Sequence, residues 1–231
     1  MKAEPSWDAY IATIEKRELD QVVGMLVDET HASVRLGAPR RRCGRVLDLH
    51  LGERLAASVM HDTVNDLVMI EAKGETTGEF VQAIRRELPV HRVPRADVAL
   101  DFTGDVGIFD YLQEVCRAFK GAKVSGLAIL PDDPAQGRTW AIGKRGGIGY
   151  ARLYEAGLHP EHLHWEDPLA VRLEYEMRPH EAEHKTAAAT MEPLELLGLT
   201  KWTRATATAV LETQIDRVAP KVRNYTTDKT T

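Results

Sequence analysis

Acidic, basic and tyrosine side chains recur at every second position of three segments that are otherwise rich in strand-forming residues. Residues two apart in a strand lie on the same face, so each segment presents polar side chains on one face and apolar side chains on the other. The segments are Arg95-Ala-Asp-Val-Ala-Leu-Asp101-Phe, Ala151-Arg-Leu-Tyr-Glu155 and Val171-Arg-Leu-Glu-Tyr-Glu-Met-Arg178. If these strands are neighbours, one sheet face gathers four carboxylates, several arginines and a phenol.

The chemistry that this set of side chains could perform is metal binding by oxygen ligands. The candidate ligands are Asp97, Asp101, Glu174 and Glu176. Carboxylate oxygens without histidine or thiolate favour Mg²⁺ or Mn²⁺ over zinc. Each strand taken alone also allows a simpler interpretation, in which opposite charges pair across a solvated face.

Apolar periodicity predicts the elements that would position these residues. The first half has a helix over 18–29, three strands over 45–51, 55–62 and 66–72, and a second helix over 75–88. The second half has a helix over 109–120 and strands over 95–102, 124–130, 139–144, 150–155 and 171–177. These elements predict an α+β fold with a mixed, mainly antiparallel sheet, helices on one face and two loosely repeated βαβββ units.

Composition limits the class of protein. The 231 residues are 43% apolar and 28% charged, which is typical of a soluble globular chain. A net charge of -5 argues against coating nucleic acid through bulk positive charge, so any such contact depends on local basic clusters. Two cysteines cannot form a disulfide framework and the first residues lack the apolar core of a signal peptide, so we expect a cytoplasmic protein without a membrane partner.

Five sequence blocks, taken in order, resemble one known family. They are Arg95-x-Asp97-x-Ala99-x-Asp101, Gly137-Arg-Thr-Trp-Ala-Ile-Gly143-Lys-Arg-Gly, Arg152-Leu-Tyr154-Glu155, Val171-Arg172-Leu-Glu174-Tyr-Glu176-Met-Arg178-Pro and Leu197-Gly198-Leu-Thr-Lys-Trp202. From about residue 94 to residue 202 the chain resembles the Rep_trans family, the rolling-circle replication initiators of small plasmids and phages and related relaxases of conjugative elements. The resemblance implies a fold related to the HUH endonucleases, with acidic metal ligands in place of their histidine pair.

The resemblance also implies an activity, namely site-specific nicking and joining of DNA. A tyrosine oxygen would attack a phosphodiester, form a 5′-phosphotyrosyl link and release a 3′-hydroxyl that can prime synthesis. By motif position the nucleophile is Tyr154, with Tyr150 as the alternative. Because a phenol of pKa about 10 is a poor nucleophile, Arg152 and Arg172 would help to ionise it while Mg²⁺ or Mn²⁺ polarises the phosphate.

The resemblance carries expectations about organisation and partners. We expect a nicking and replication-initiation domain over 1–185, with an N-terminal half over 1–92 and a catalytic half over 93–185. A C-terminal helical segment and tail, over 186–231, would form a small appendage. The expected partners are single-stranded or cruciform origin DNA, a host helicase and DNA polymerase, and a second copy of the chain in a homodimer.

One departure from the family pattern leaves an alternative open. The family has a lysine two residues after the tyrosine, whereas this chain reads Tyr154-Glu155-Ala156. Lys144 or Arg145 could take the place of that lysine at the phosphate. Otherwise the chain is a DNA-binding remnant that keeps the fold without the chemistry.

Two basic clusters are candidate DNA contacts. The first comprises Arg40, Arg41 and Arg42, and the second comprises Arg138, Lys144 and Arg145. Both suit phosphate oxygens, since arginine and lysine supply most backbone contacts to DNA. The alternative for the first cluster is a solvated loop that compensates nearby acids.

Two histidine patterns compete with this interpretation. His180-Glu181-Ala-Glu-His184 has the form of a zinc-protease helix, in which two imidazoles one turn apart bind zinc and the glutamate activates water. Its alternative is an exposed helix start after Pro179. His162-Leu-His164 has the form of the HUH histidine pair, but it stands in a stretch that reads as a loop, so we interpret it as a loop feature.

Overall fold

The computed structural model describes residues 3–40, 42–103, 106–129, 137–159 and 167–213. The elements of the first half are β1 (Ser6–Glu15), α1 (Leu19–Thr30), β2 (Ser33–Leu36), β3 (Cys43–Leu51), β4 (Arg54–Asp62), β5 (Leu67–Lys73) and α2 (Thr77–Glu87). Those of the second half are β6 (Arg92–Phe102), α3 (Ile108–Phe119), β7 (Gly126–Ile129), β8 (Thr139–Gly143), β9 (Gly149–Tyr154) and β10 (Val171–Met177). Three helices follow, α4 (Ala182–Ala187), α5 (Pro193–Leu196) and α6 (Lys201–Thr213).

All ten strands belong to one sheet, in the order β2-β3-β4-β5-β1-β6-β10-β9-β8-β7. Each of the nine pairs of neighbouring strands is antiparallel. Reading outward from the centre, β1, β5, β4, β3 and β2 mirror β6, β10, β9, β8 and β7. Each half therefore has one strand, one helix and a four-strand meander that returns to pair with the first strand. The α+β fold and the internal repeat are confirmed. Four strands follow the first helix of each half; the sequence predicted three of them in the first half and all four in the second.

The two faces of the sheet differ in character because each strand alternates its side chains. In β10, Leu173 and Tyr175 are fully buried and belong to the hydrophobic core. The helices pack on this apolar face, with α1 against α2 and α3 against α6. The intervening positions of β10 carry Arg172, Glu174 and Glu176, which define the polar face. Tyr175 also donates a hydrogen bond to Thr206 of α6, at 2.9 Å, so α6 is part of the core layer.

The structure differs from the sequence predictions at three elements. Strand β1 was absent from the sequence interpretation although it lies at the centre of the sheet, and the short β2 was absent as well. The C-terminal helical segment predicted over 186–231 is divided at Thr200, whose backbone is extended, and its residues after Thr213 lie outside the described residues. The Thr200 hydroxyl accepts a hydrogen bond from the Thr203 N–H at 3.2 Å and thereby begins α6 anew.

No helix within these described stretches is long and apolar enough to cross a membrane.

Candidate active site

Three carboxylates converge on the polar face at the centre of the sheet. Asp8 of β1, Asp97 of β6 and Glu174 of β10 each offer an oxygen, and these oxygens lie within 4.8 Å of one another. The three strands are consecutive neighbours, so the sheet itself sets the spacing. We call these residues the acidic triad. The sequence predicted Asp97 and Glu174 as ligands and missed Asp8.

A β-bulge places Asp8 in the triad. The pairing of β1 with β6 shifts between Trp7 and Ala9, which oppose Val98 and Asp97 respectively. Strict alternation from the buried Tyr10 would turn Asp8 toward the helices. The extra residue of the bulge turns it to the polar face instead, as bulges beside functional sites commonly do.

Asp97 is the most enclosed member of the acidic triad, with 2% of its surface exposed. Burial raises its pKa to about 6, and the hydrogen bond and charge of Arg95 offset only part of that effect. Arg95 donates from Nε to Asp97 Oδ1 at 2.9 Å. Burial also raises the pKa of Asp8, against the opposing charge of Arg172. Two of the three carboxyls are thus held in surroundings that disfavour their charge, which a bound cation would relieve.

Glu174 connects the triad to a tyrosine. Its two carboxylate oxygens each accept from Arg152 at 2.8 Å, and Oε2 lies 3.4 Å from the Tyr154 hydroxyl. Tyr154 is 5% exposed. Burial and the negative charge of Glu174 raise the pKa of Tyr154, while Arg172 and Arg152 act to lower it. The hydroxyl therefore holds its proton at neutral pH until further positive charge approaches.

Arg172 connects Asp8 of the triad with Asp101, which lies outside it. It donates to both oxygens of Asp101, at 2.6 and 2.8 Å, and to Asp8 Oδ1 at 2.6 Å. Arg172 pairs in register with Asp101 on one side and Tyr154 on the other. A bidentate arginine of this kind fixes both carboxylates, so Arg172 orients Asp8 while its charge lies beside Tyr154.

Asp101 and Glu176 share the polar face, as the sequence predicted, but the structure does not bring them into the triad. Both oxygens of Asp101 accept from Arg172. Glu176 accepts from Arg178 Nε at 2.6 Å and lies 3.3 Å from Arg95. Burial acts to raise the pKa of Glu176, but these arginines together outweigh it and the net shift is downward. Arginine pairing is common to these two carboxylates and to the triad, so it is the distance between oxygens, which strand periodicity does not give, that separates the two sets.

Tyr150, the alternative nucleophile, stands on the same face of β9 as Tyr154. Tyr150 pairs in register with Glu176 of β10 and Gly143 of β8. Tyr154, four residues further along β9, pairs instead with Arg172 and Thr139. Glu176 lies outside the acidic triad, so Tyr150 faces the arginine-paired carboxylate and Tyr154 faces the triad.

The two basic clusters lie on different halves of the sheet. Arg40 donates to Ser58 at 3.0 Å and pairs with Glu71, on the polar face of the first half. Arg42 is an exposed residue with a left-handed backbone, whereas Arg41 lies outside the described residues. In the second cluster Lys144 and Arg145 are exposed in the turn after β8, and the charge of Arg145 helps to lower the pKa of Glu176.

Arg138 of the second cluster is paired with two carboxylates. It donates to Glu155 from Nε at 3.1 Å and from an Nη atom at 2.8 Å, and to Asp110 at 2.8 Å. Its positive charge is therefore already compensated within the protein.

The histidines do not form the zinc-protease arrangement in the described part of the chain. Helix α4 begins at Ala182 with Glu181 as its N-cap, so His180 precedes the helix and cannot lie one helical turn from His184. Both histidines are exposed. The backbone of Glu181 is extended, so the helix starts too late to include His180. His162 and His164 lie outside the described residues.

The site is thus a buried carboxylate triad beside a tyrosine, on the polar face of an α+β fold with an internal repeat. Among solved structures, this fold is similar to that of a rolling circle replication initiator protein from Geobacillus stearothermophilus. The similarity has a TM-score of 0.59 and 16% sequence identity, and covers 85% of this chain and 84% of that chain. No protein-family model and no curated protein sequence matches this chain. The structural similarity establishes the fold.

Proposed function

We propose that this protein is a DNA nicking-joining enzyme that initiates rolling-circle replication or transfer, with Tyr154 as its nucleophile. The observation that carries the proposal is the Tyr154 hydroxyl 3.4 Å from Glu174, a member of the acidic triad. A nucleophile beside a cluster of carboxylates is the arrangement that metal-assisted phosphoryl transfer requires. The fold shared with a rolling circle replication initiator supports the same function.

The reaction follows from the residues around Tyr154. The phenolic oxygen attacks the phosphorus of one DNA strand while its proton passes to the neighbouring Glu174 carboxylate. The bond from phosphorus to the 3′ oxygen breaks, and that oxygen takes up a proton and leaves as a 3′-hydroxyl. The products are a 5′-phosphotyrosyl protein and a free DNA end, and the reverse reaction rejoins the strand. Arg152 and Arg172 favour the phenolate, since both act to lower the pKa of Tyr154.

The donor set of the triad fits a divalent cation. Three carboxylate oxygens within 4.8 Å of one another suit Mg²⁺ or Mn²⁺, which prefer oxygen ligands. Such an ion, when bound, would neutralise the triad and polarise the scissile phosphate. The orientation of its ligands comes from the chain itself, because Arg95, Arg152 and Arg172 each hold one triad carboxylate.

The DNA contacts and partners complete the proposal. Lys144 and Arg145, exposed in the turn after β8, would bind phosphates at the Tyr150 end of β9, and the Arg40–Arg42 loop would bind DNA further along the polar face. The substrate would be single-stranded or cruciform origin DNA. Host helicase, DNA polymerase and a second copy of the chain are the proposed protein partners, and the proposed location is the cytoplasm.

Covalent capture of DNA tests the proposal. The protein is incubated with a pool of single-stranded oligonucleotides of random sequence and Mn²⁺, then separated on a denaturing gel. Wild-type protein should give a DNA-protein adduct that a chelator prevents, and Tyr154→Phe should give none because the attacking oxygen is gone.

Tyr150→Phe is the matched control, and it should retain the adduct. Loss of the adduct in Tyr150→Phe with retention in Tyr154→Phe would assign the nucleophile to Tyr150. If wild-type protein binds the oligonucleotides without forming any adduct, the chain is instead the non-catalytic DNA-binding remnant.

A further inference from the structure

A cavity of about 240 Å³ lies past the end of β9, on the helix side of the sheet. Its walls come from the start of α3, from Arg138 before β8, and from the segments that follow β9 and precede β10. Glu155, which lines it, follows Tyr154 in the chain. The Glu155 backbone N–H donates to the Arg138 carbonyl at 3.1 Å, which holds the two segments together. Tyr154 projects to the polar face and Glu155 to the helix side, so the cavity and the tyrosine hydroxyl lie on opposite sides of the sheet at the same end of β9.

The cavity contains an oriented guanidinium plane. The central carbon of the Arg138 guanidinium lies 4.4 Å from the centroid of the Phe109 ring, and Glu155 and Asp110 fix its nitrogens from two sides. Phe109 is buried, whereas 41% of the Arg138 side chain is exposed. One face of the guanidinium thus packs on a ring while the side chain stays accessible. Such planes are stacking surfaces for unpaired nucleobases.

The rim of the cavity is apolar and exposed. Val106, Leu158 and Leu169 are 90%, 36% and 43% exposed, and all three line it. Exposed apolar side chains that cluster around a depression mark a binding site. The volume is below the 300–1,000 Å³ typical of pockets for drug-sized ligands, so the cavity suits one planar ring system.

The charges around Arg138 favour a base over a phosphate. Glu155 and Asp110 compensate the guanidinium charge, and both carboxylates would repel a phosphate group. Stacking needs the guanidinium plane rather than its net charge, so the ion pairs strengthen the platform for a base by fixing its orientation.

We propose that this cavity binds the base of one nucleotide of the DNA strand that Tyr154 cleaves, stacked on the Arg138 guanidinium, where the strand turns around the end of β9. The inference rests on the proposed function, because it identifies a subsite for the DNA strand that Tyr154 cleaves. It also gives Arg138 a role in reading the substrate strand, in place of the phosphate contact that the sequence predicted.

Equilibrium binding without cleavage tests the subsite. Fluorescein-labelled oligodeoxyadenylate of about 12 nucleotides is compared by anisotropy, in chelator, with an abasic strand of the same length. Wild-type protein should bind the adenylate strand about tenfold more tightly than the abasic strand. Arg138→Lys keeps the charge but removes the plane, so it should reduce this preference to about threefold or less. Arg117→Lys is the matched control and should retain the full preference, since Arg117 packs on Trp140 at 5.4 Å, away from the cavity.

A second variant tests the same subsite if Arg138→Lys does not fold. Leu169→Ser removes part of the apolar rim at an exposed position and should weaken the base preference, whereas Leu55→Ser, at an exposed position in β4, should not. An undiminished preference in both Arg138→Lys and Leu169→Ser, or no preference in wild-type protein, overturns the subsite. Covalent adduct formation without base preference refutes the subsite alone. Base-dependent binding without any adduct refutes the nicking function alone.

Discussion

Replacing Asp97 by asparagine removes the most buried carboxyl of the acidic triad and should change how stability depends on pH. Burial raises the pKa of Asp97 from 3.8 to about 6. A carboxyl whose pKa is raised by folding binds its proton more tightly in the folded state. The free energy of unfolding therefore falls as pH increases from about 4 to about 6 and stays low above that range. The shift corresponds to about 3 kcal/mol of lost stability above pH 7.

The assay is urea unfolding of wild-type protein and Asp97→Asn in chelator, at about pH 4 and about pH 8. The variant cannot ionise, so its stability relative to wild-type protein should increase by about 2 kcal/mol between the two pH values, since part of the loss has already occurred at pH 4. Subtracting the free energy of unfolding of wild-type protein from that of Asp97→Asn at each pH removes the contribution of titratable groups outside the acidic triad. Asp28→Asn, the same substitution at an exposed position of α1, is the control.

A second measurement in the same experiment tests whether a bound metal restores the stability that is lost when Asp97 ionises. At about pH 8, added Mn²⁺ should raise the free energy of unfolding of wild-type protein. Once the Mn²⁺ concentration exceeds the dissociation constant, this increase should grow with the logarithm of that concentration, and it should be far smaller in Asp97→Asn. A stability difference between Asp97→Asn and wild-type protein that is the same at both pH values would refute the reasoning, because the carboxyl would then not be disfavoured by burial.

Three further substitutions test separate parts of the structure. Asp8→Asn should weaken Mn²⁺ binding by about tenfold or more in titration calorimetry, since even residues behind the ligands cost tenfold; an unchanged affinity would exclude Asp8 as a ligand. Arg172→Met leaves two carboxylates without their shared cation and should lower the free energy of unfolding in urea by about 3 kcal/mol. Gly157→Ala would place a Cβ 2.2 Å from the Asp167 carbonyl oxygen and should destabilise by about 2 kcal/mol or more, whereas Gly198→Ala has open space and should cost under about 1 kcal/mol. Equal urea midpoints for the two alanine variants would contradict the contact at Gly157.

Periodicity sufficed to predict which side chains of β6, β9 and β10 share the polar face. Asp97, Glu174 and Tyr154 alternate with apolar residues, and burying the apolar set fixes the face of the polar set because the side-chain period of a strand is two. The helices α1, α2 and α3 were predictable for a similar reason, since their apolar residues follow the helical period.

Asp8 could not be assigned in this way. It stands in a strand whose alternation is interrupted by a bulge, and a bulge depends on pairing with β6, some ninety residues along the chain. Nor could periodicity separate Glu174 from Glu176. Both face the same way and both accept from arginine, but only Glu174 offers an oxygen within 4.8 Å of those of Asp8 and Asp97, a distance that the pairing of β1, β6 and β10 sets.

The sequence by itself determined the faces of the strands, the repeated arrangement of elements and the types of group available for chemistry, because these follow from local periodicity and composition. The tertiary structure alone decided which groups meet. Strand register, the bulge in β1 and the partners of each arginine arise from contacts between residues far apart in the chain. Those contacts bring three of the many charged side chains on the polar face together beside one tyrosine.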